Sequence, residues 1–213
     1  MFSDYSFEDL ASIFAMQGFA GLSLFSVFLL MALGLAIIFG QMGVINMAHG
    51  EFMILGAYTT YLTSHFFENY LPSLFPIYFF VALILSFIFT GLLGALIEYL
   101  MIRHLYSRPL DTLLATWGLS LILQQTYRSI FGAREVGVTL PDWLMGSVNL
   151  TDSIEIPING LFVLCLTIFV TFSVWYIMYR SKLGRQLRAV ILNRPMAGAV
   201  GINTGLVDRL TFG

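Results

Sequence analysis

Long apolar runs without polar alternation dominate the pattern of this chain. No residue between Leu10 and Gly50 carries a formal charge, although one membrane span needs only about 20 apolar residues. The pattern predicts five membrane-crossing helices, at 19–39, 44–64, 77–101, 112–131 and 158–179. A barrel strand would need only about ten residues with strict alternation. Helices therefore remain as the way to satisfy every backbone group in lipid.

Composition agrees with a membrane protein. Of the 213 residues, 58% are hydrophobic and only 10% are charged, whereas a soluble domain carries about a quarter charged residues. We therefore expect an all-α integral membrane protein, a polytopic bundle of about five transmembrane helices in a single domain over residues 1–213. The net charge of −2 gives no indication of nucleic-acid binding. The sequence offers no metal-ligand cluster, no nucleophile–base pair and no P-loop, so we expect a chain that is not an enzyme and binds no cofactor.

Arginine and lysine predict the orientation. Arg103 and Arg108 lie in one loop, and segment 180–194 carries five further basic residues. Both should be cytoplasmic by the positive-inside rule. The N-terminus and segment 65–76 have no basic residue, and 132–157 has only Arg134, so these should lie outside.

Residues 40–58 place polar groups inside the longest apolar region. An unpartnered polar group in hydrocarbon costs on the order of 2–7 kcal/mol, so Asn46, His49 and Glu51 are solute-pathway candidates. On a regular helix Asn46 shares a face with Gly50. Glu51 follows His49 by two residues, or about 200° around a helix, so both cannot face one lumen. The glycines in this stretch make a broken helix or a re-entrant turn plausible.

Three interpretations of this motif remain open. Its polar groups can bond neighbouring helices, contact a solute directly, or form a proton relay. Gln124 and Gln125 in the fourth span are further candidates, either for hydrogen bonds to a small solute or for bonds between helices. Glu98 lies near the cytoplasmic end of the third span, where we expect an interfacial role.

Segment 180–209, called the basic segment below, is predicted to be cytoplasmic. Pro195 can open a second short helix through Val200, and Gly201, Asn203 and Gly205 are then expected to break the chain. The segment can rest on anionic lipid or dock a cytoplasmic partner. Its first helix shows an apolar stripe opposite Arg185 and Arg188, formed by Leu183, Leu187, Val190 and Ile191.

These motifs resemble a known family. Residues 34–40 and 43–58 closely resemble the membrane permeases of branched-chain amino acid ABC importers. The form Gly-Gln-Met-Gly-Val-Ile-Asn-Met-Ala-His-Gly-Glu at 40–51 resembles the urea-transporting branch, and so do residues 110–125 and 141–143. Residues 184–203 resemble the family's cytoplasmic coupling loop. Known members continue beyond residue 213, so we expect this chain to be truncated at its C-terminus.

The resemblance implies an importer permease for urea or a related small solute in the bacterial inner membrane. A branched-chain amino acid permease is the alternative, and a channel or proton-coupled carrier using His49 and Glu51 is an alternative of a different class. The implied partners are cytoplasmic ATP-binding subunits that use the ATP, a second permease subunit, a periplasmic solute-binding protein and membrane lipid. The resemblance also implies contacts with the ATPase for Arg185, Arg188, Ala189, Ala197, Gly201, Ile202 and Asn203.

Overall fold

The computed structural model describes residues 7–43, 45–106, 108–151 and 154–213. Val44, the predicted start of the second span, and the first six residues lie outside this part. The elements in chain order are α1 (Phe7–Met42), α2 (His49–Tyr70), α3 (Tyr78–Leu100), α4 (Pro109–Phe131), α5 (Asp142–Met145), β1 (Ser147–Thr151), β2 (Ile154–Pro157), α6 (Ile158–Arg180), α7 (Lys182–Leu192), α8 (Arg194–Ala199) and α9 (Thr204–Phe212). Short 3₁₀ turns at Pro72–Ile77 and Ile102–His104 flank α3.

Five of these helices are long and correspond to the five predicted spans. They are α1, α2, α3, α4 and α6, and each has at least 22 residues. The all-α class is confirmed. The described residues also include one small antiparallel hairpin, β1–β2, that the apolar pattern did not predict.

Three stretches of the described chain are both long and apolar enough to cross a membrane: Leu10–Gly40, Pro72–His104 and Ile158–Arg180. Helices α2 and α4 are long enough, with 22 and 23 residues, but carry more polar side chains. Many of those side chains are buried within the protein, including Glu51 and Ser64 on α2 and Thr112 and Thr116 on α4. The lower hydropathy of these two helices therefore reflects polar faces that pack inside the chain.

The chain divides into two units, one formed by residues up to Leu33 with Leu140–Tyr176, the other by Gly34–Thr139 with Ile177–Gly213. In the first unit, α6 contacts the first part of α1 through small residues. A Cβ built at Gly160 would lie 2.8 Å from the Phe19 ring, and the Thr167 hydroxyl donates to the Ser26 carbonyl at 3.4 Å. Small residues allow this close helix packing where lipid supplies no hydrophobic drive.

The second unit contains two apolar clusters. One joins Ile38 of α1, Phe52 of α2 and Ile97 of α3 to Phe212 at the end of α9. The other lies inside the basic segment, where α7, α8 and α9 bury Leu187, Ala197 and Val207. The solute-pathway candidates and the predicted ATPase-contact residues all belong to this second unit.

Candidate functional site

The predicted break in the polar motif lies between α1 and α2. Helix α1 ends at Met42, Gly43 has φ +64°, and α2 begins only at His49. Asn46 therefore precedes α2 and does not share its face with Gly50, as a continuous helix would have required. A positive φ is cheap only for glycine, so Gly43 is the residue that permits the chain to leave α1 here.

Two side chains satisfy backbone groups that this break exposes. The Asn46 Oδ1 accepts from the Ala48 N–H at 3.0 Å. The Thr116 hydroxyl of α4 accepts from the Met47 N–H at 3.2 Å and lies 3.4 Å from the Ile45 carbonyl. A first helical turn leaves four N–H groups without intrahelical partners. The Asn46 bond is local to the connection before α2, and the Thr116 bonds fix this connection against α4.

Glu51 lies in the first turn of α2 and is buried. Its Oε1 accepts from the Gln124 amide at 2.7 Å and from the Ser120 hydroxyl at 3.1 Å, and the Tyr127 hydroxyl donates to its backbone carbonyl at 3.1 Å. The N-terminal end of a helix dipole also favours a carboxylate at this position. We call this contact region between α2 and α4 the α2–α4 joint.

Helix α4 contributes a stripe of polar side chains, of which Gln124 was the one predicted from the sequence. Thr112, Thr116 and Ser120 are buried, and with Gln124 they recur every four residues, so they lie along one helical face. Tyr127 continues this face. The four-residue spacing of hydroxyl groups inside an apolar run is the signal that would have found it.

The other pathway candidates lie elsewhere. Gln125 is exposed and lines a shallow groove of α4 with Ile122 and Thr126, away from Glu51. The His49 imidazole lies against Gly34 of α1, where an added Cβ would come within 3.2 Å of its Cε1. His49 and Glu51 thus turn toward different helices, as their spacing predicted.

Two of the pathway candidates retain a buried polar atom without a hydrogen-bond partner among the described residues. They are the Asn46 Nδ2, a donor, and the Glu51 Oε2, an acceptor. Buried polar atoms are nearly always hydrogen-bonded. These two atoms therefore have unused capacity to bind a polar group.

The basic segment folds into three short helices. Asn193 and Asn203 cap α8 and α9, each through an Oδ1 that accepts an N–H three residues on. Gly201, with φ +87°, makes the turn before α9. The predicted second helix is confirmed, but Gly205 lies inside α9 and does not break the chain.

Four of the seven predicted ATPase-contact residues pack inside this segment or against α6, whereas Arg185, Gly201 and Asn203 are exposed. Ala197 is buried and Ala189 and Ile202 pack around it, while the Arg188 guanidinium donates to the Met178 carbonyl at the end of α6. Arg185 is exposed, beside the Arg180 carbonyl. Of the predicted apolar stripe, Leu187 and Val190 are buried, whereas Leu183 and Ile191 are exposed.

The outer surface of the segment is apolar where α7 meets α8. Leu192, Met196 and Val200 are 84%, 63% and 70% exposed. Leu192 and Met196 fall outside the helical stripe of α7, so the periodic pattern does not mark them as functional.

Glu98 is buried inside the protein, whereas an interfacial role implied a carboxylate in contact with water. It is only 2% exposed, its Oε1 accepts from the Tyr106 hydroxyl at 2.7 Å, and its Oε2 lies 3.6 Å from the Arg209 Nε of α9. Burial is the main cause that raises the pKa of Tyr106 above its ordinary value, and the hydrogen bond to Glu98 raises it further. The phenol therefore stays protonated and remains a donor at neutral pH.

The sequence of this chain is similar to those of known transport proteins. A family model described as "Branched-chain amino acid transport system / permease component" matches residues 18–213. The high-affinity branched-chain amino acid transport system permease protein LivH of Escherichia coli K12 is 30% identical over 230 residues, and LivH of Salmonella typhimurium is 30% identical over 223. BraD of Pseudomonas aeruginosa, named as a permease protein of the same kind of system, is 27% identical over 195 residues.

The two LivH alignments each cover 93% of this chain and the BraD alignment 90%. They cover 66% and 64% of the relatives themselves, so the chain spans slightly less than two thirds of their length. No solved structure matches the chain.

Proposed function

Because the chain belongs to the family of branched-chain amino acid transport system permease components, we propose that it is a permease subunit of an ATP-driven ABC importer in the bacterial inner membrane. The match over residues 18–213 carries this proposal, and three helices able to cross a membrane support it. The chain would contribute a solute path, while ATP hydrolysis would take place in partner subunits.

The proposed solute is a branched-chain amino acid. The named relatives are permease proteins of branched-chain amino acid systems, and no relative named above supports urea, which motif resemblance alone had favoured. A zwitterion presents a carboxylate and an ammonium group. The Asn46 Nδ2 and the Glu51 Oε2 offer one donor and one acceptor without partners, so these two residues are the proposed solute contacts.

Of the other pathway candidates, Gln124 and His49 are proposed to have structural roles. Gln124 holds Glu51 in place through its amide, and His49 packs α2 against α1. Gln125 lies away from Glu51 and has no proposed part in the path. A channel or proton carrier built on His49 and Glu51 acting together is disfavoured, because their side chains turn toward different helices.

The basic segment is the proposed docking element for a cytoplasmic ATP-binding subunit. Its caps and buried residues hold Leu192, Met196 and Val200 at the surface, where a partner can cover them. In this proposal Ala189, Ala197, Gly201, Ile202 and Asn203 act by shaping the segment, and Arg188 by fixing it to α6. Arg185, which is exposed, is proposed for direct contact with the partner. A second permease subunit and a periplasmic binding protein complete the proposed assembly.

Co-purification of the ATP-binding subunit with this chain tests the docking proposal. Met196→Glu introduces a charge into the exposed apolar surface and is expected to reduce the retained subunit about tenfold or more, since interface centres exclude unpaired charge. Met145→Glu is the matched control, because Met145 is 62% exposed and Met196 is 63% exposed. Met145 ends α5, within the connection 132–157 that is expected on the outer side. Equal retention by both variants would contradict docking at this surface.

A further inference from the structure

We propose that Glu98 and Arg209 form an ion pair, called the ionic lock, that fixes the basic segment to membrane helix α3. Glu98 and Arg209 are then positioning residues, which transmit movements of the basic segment to α3. This inference rests on the proposed importer function. It adds to that function a defined connection between the cytoplasmic surface and one membrane helix.

The lock joins elements that are distant in sequence. Glu98 lies in the last turns of α3 and Arg209 in α9, with 3.6 Å between the Glu98 Oε2 and the Arg209 Nε. Neither of these two atoms has a hydrogen-bond partner in the described structure. The Glu98 side chain is only 2% exposed, against 41% for Arg209, so the carboxylate in particular depends on this cation for compensation of its charge. The Arg209 guanidinium also lies 4.8 Å from the centre of the Tyr99 ring on α3.

A second ion pair is linked to the first through Tyr106. Asp208, which is fully buried, pairs with Arg194 of α8. The Arg194 guanidinium lies 4.8 Å from the centre of the Tyr106 ring, and the Tyr106 hydroxyl donates to Glu98. Both α8 and α9 are therefore connected to the same carboxylate on α3.

Close backbone packing accompanies the ionic contacts. A Cβ built at Gly94 of α3 would lie 2.9 Å from the Gly213 Cα, and one at Gly91 would lie 3.1 Å from the Gly213 carbonyl oxygen. The Phe212 ring packs edge-on against Phe52 of α2, with centroids 6.2 Å apart. The end of α9 is thus held against α3 along more than one turn.

This arrangement favours joint movement of α9 and α3. Separating them would leave the Glu98 carboxylate buried without its cation, and an unpaired buried charge is strongly destabilising. A rigid displacement that keeps the pair intact avoids that cost. A force applied to the basic segment by a docked partner would therefore move α3 rather than peel α9 away.

Hydrogen exchange of the full chain in lipid nanodiscs tests the lock itself. Arg209→Gln leaves Glu98 uncompensated and is expected to speed amide exchange in α8 and α9 by about tenfold or more, because local opening becomes easier. The double variant Glu98→Gln with Arg209→Gln removes both charges and should exchange more slowly than Arg209→Gln alone. Arg103→Gln is the control, since the Arg103 guanidinium lies 3.9 Å from the centre of the same Tyr99 ring but is not paired with Glu98.

Coupling in the assembled importer tests the transmitting role. Leucine transported per ATP hydrolysed is expected to fall about fivefold or more in Arg209→Gln, while the amount of bound ATP-binding subunit stays unchanged, because the exposed docking surface is intact. Arg209→Lys keeps a cation near Glu98 but loses the planar guanidinium over the Tyr99 ring, so it should restore the ratio in part. A purely structural role would instead reduce subunit binding and transport together, leaving the ratio unchanged.

The possible outcomes separate the two proposals. Wild-type exchange rates in Arg209→Gln would overturn the lock, and an unchanged leucine-to-ATP ratio with faster exchange would overturn its transmitting role. Failure of wild-type chain to bind any ATP-binding subunit would refute the proposed function and the transmitting role with it. The exchange rates would still show whether the lock exists.

Discussion

Three buried carboxylates show how this apolar chain accommodates charge. Glu51 is held by a serine and a glutamine on α4, Glu98 by Tyr106 and Arg209, and Asp208 by Arg194. Because an isolated buried charge is costly, each of these groups requires its partners to be in place. The partner residues of the three carboxylates are therefore as important to the fold as the carboxylates themselves.

Glycine positions within the basic segment allow a test of its packing. A Cβ at Gly184 would overlap the carbonyl oxygens of Met178 and Ile177, whereas nothing lies within 4 Å of a Cβ at Gly198. We expect Gly184→Ala to destabilise the chain by about 1–3 kcal/mol, the usual cost of overpacking. Gly198→Ala should be neutral or slightly stabilising, because alanine favours a helix.

Thermal unfolding in detergent, followed by tryptophan fluorescence, measures this difference. A clearly lower Tm for Gly184→Ala than for Gly198→Ala agrees with α7 packing tightly on the end of α6. Equal Tm values would show that this contact does not form.

At the scale of elements, α2 and α4 associate through polar groups. Thr116 bonds the segment before α2, and Glu51 of α2 bonds Ser120 and Gln124. Such bonds matter within a membrane, where apolar contact alone gives little preference for protein over lipid.

Two threonines on α4 provide a matched test of the contacts in the α2–α4 joint. Thr116 contacts the α1–α2 connection, whereas Thr126 is exposed and, within the described structure, donates to the carbonyl of Ile122 on its own helix. Thr116→Val should cost about 1 kcal/mol by removing the acceptor of the Met47 N–H, and Thr126→Val should cost less. Chemical unfolding in mixed micelles compares the two variants, and an equal or larger loss for Thr126→Val would argue against the joint.

The five long helices could be predicted from the local sequence, but the contacts between helices could not. Apolar runs predicted all five long helices, and the glycines near Asn46 predicted the break before α2. Helix α9 was missed because Gly205 is a weak helix former, so α9 forms only with its cap at Asn203 and its packing on α3. The Glu98–Arg209 pair was missed for a related reason, since a partner far away in sequence leaves no periodic signal.

For the whole molecule, orientation in the membrane is the first prediction to test. We expect the end of α2 outside and α7 in the cytoplasm, because basic residues concentrate in the latter. In a Cys165→Ser background, Asn69→Cys should react with a membrane-impermeant maleimide in intact spheroplasts, and Lys182→Cys only after permeabilisation. Both native residues are exposed, so the opposite pattern would reverse the proposed orientation.

Uptake by a reconstituted importer tests the central claim most directly. Proteoliposomes would contain this chain, its partner permease, the ATP-binding subunits and the solute-loaded binding protein. We predict leucine uptake that requires ATP, and no uptake of urea. Glu51→Gln should lower leucine uptake about tenfold if its carboxylate binds the ammonium group. Urea uptake, or leucine flux that continues without ATP, would contradict the account.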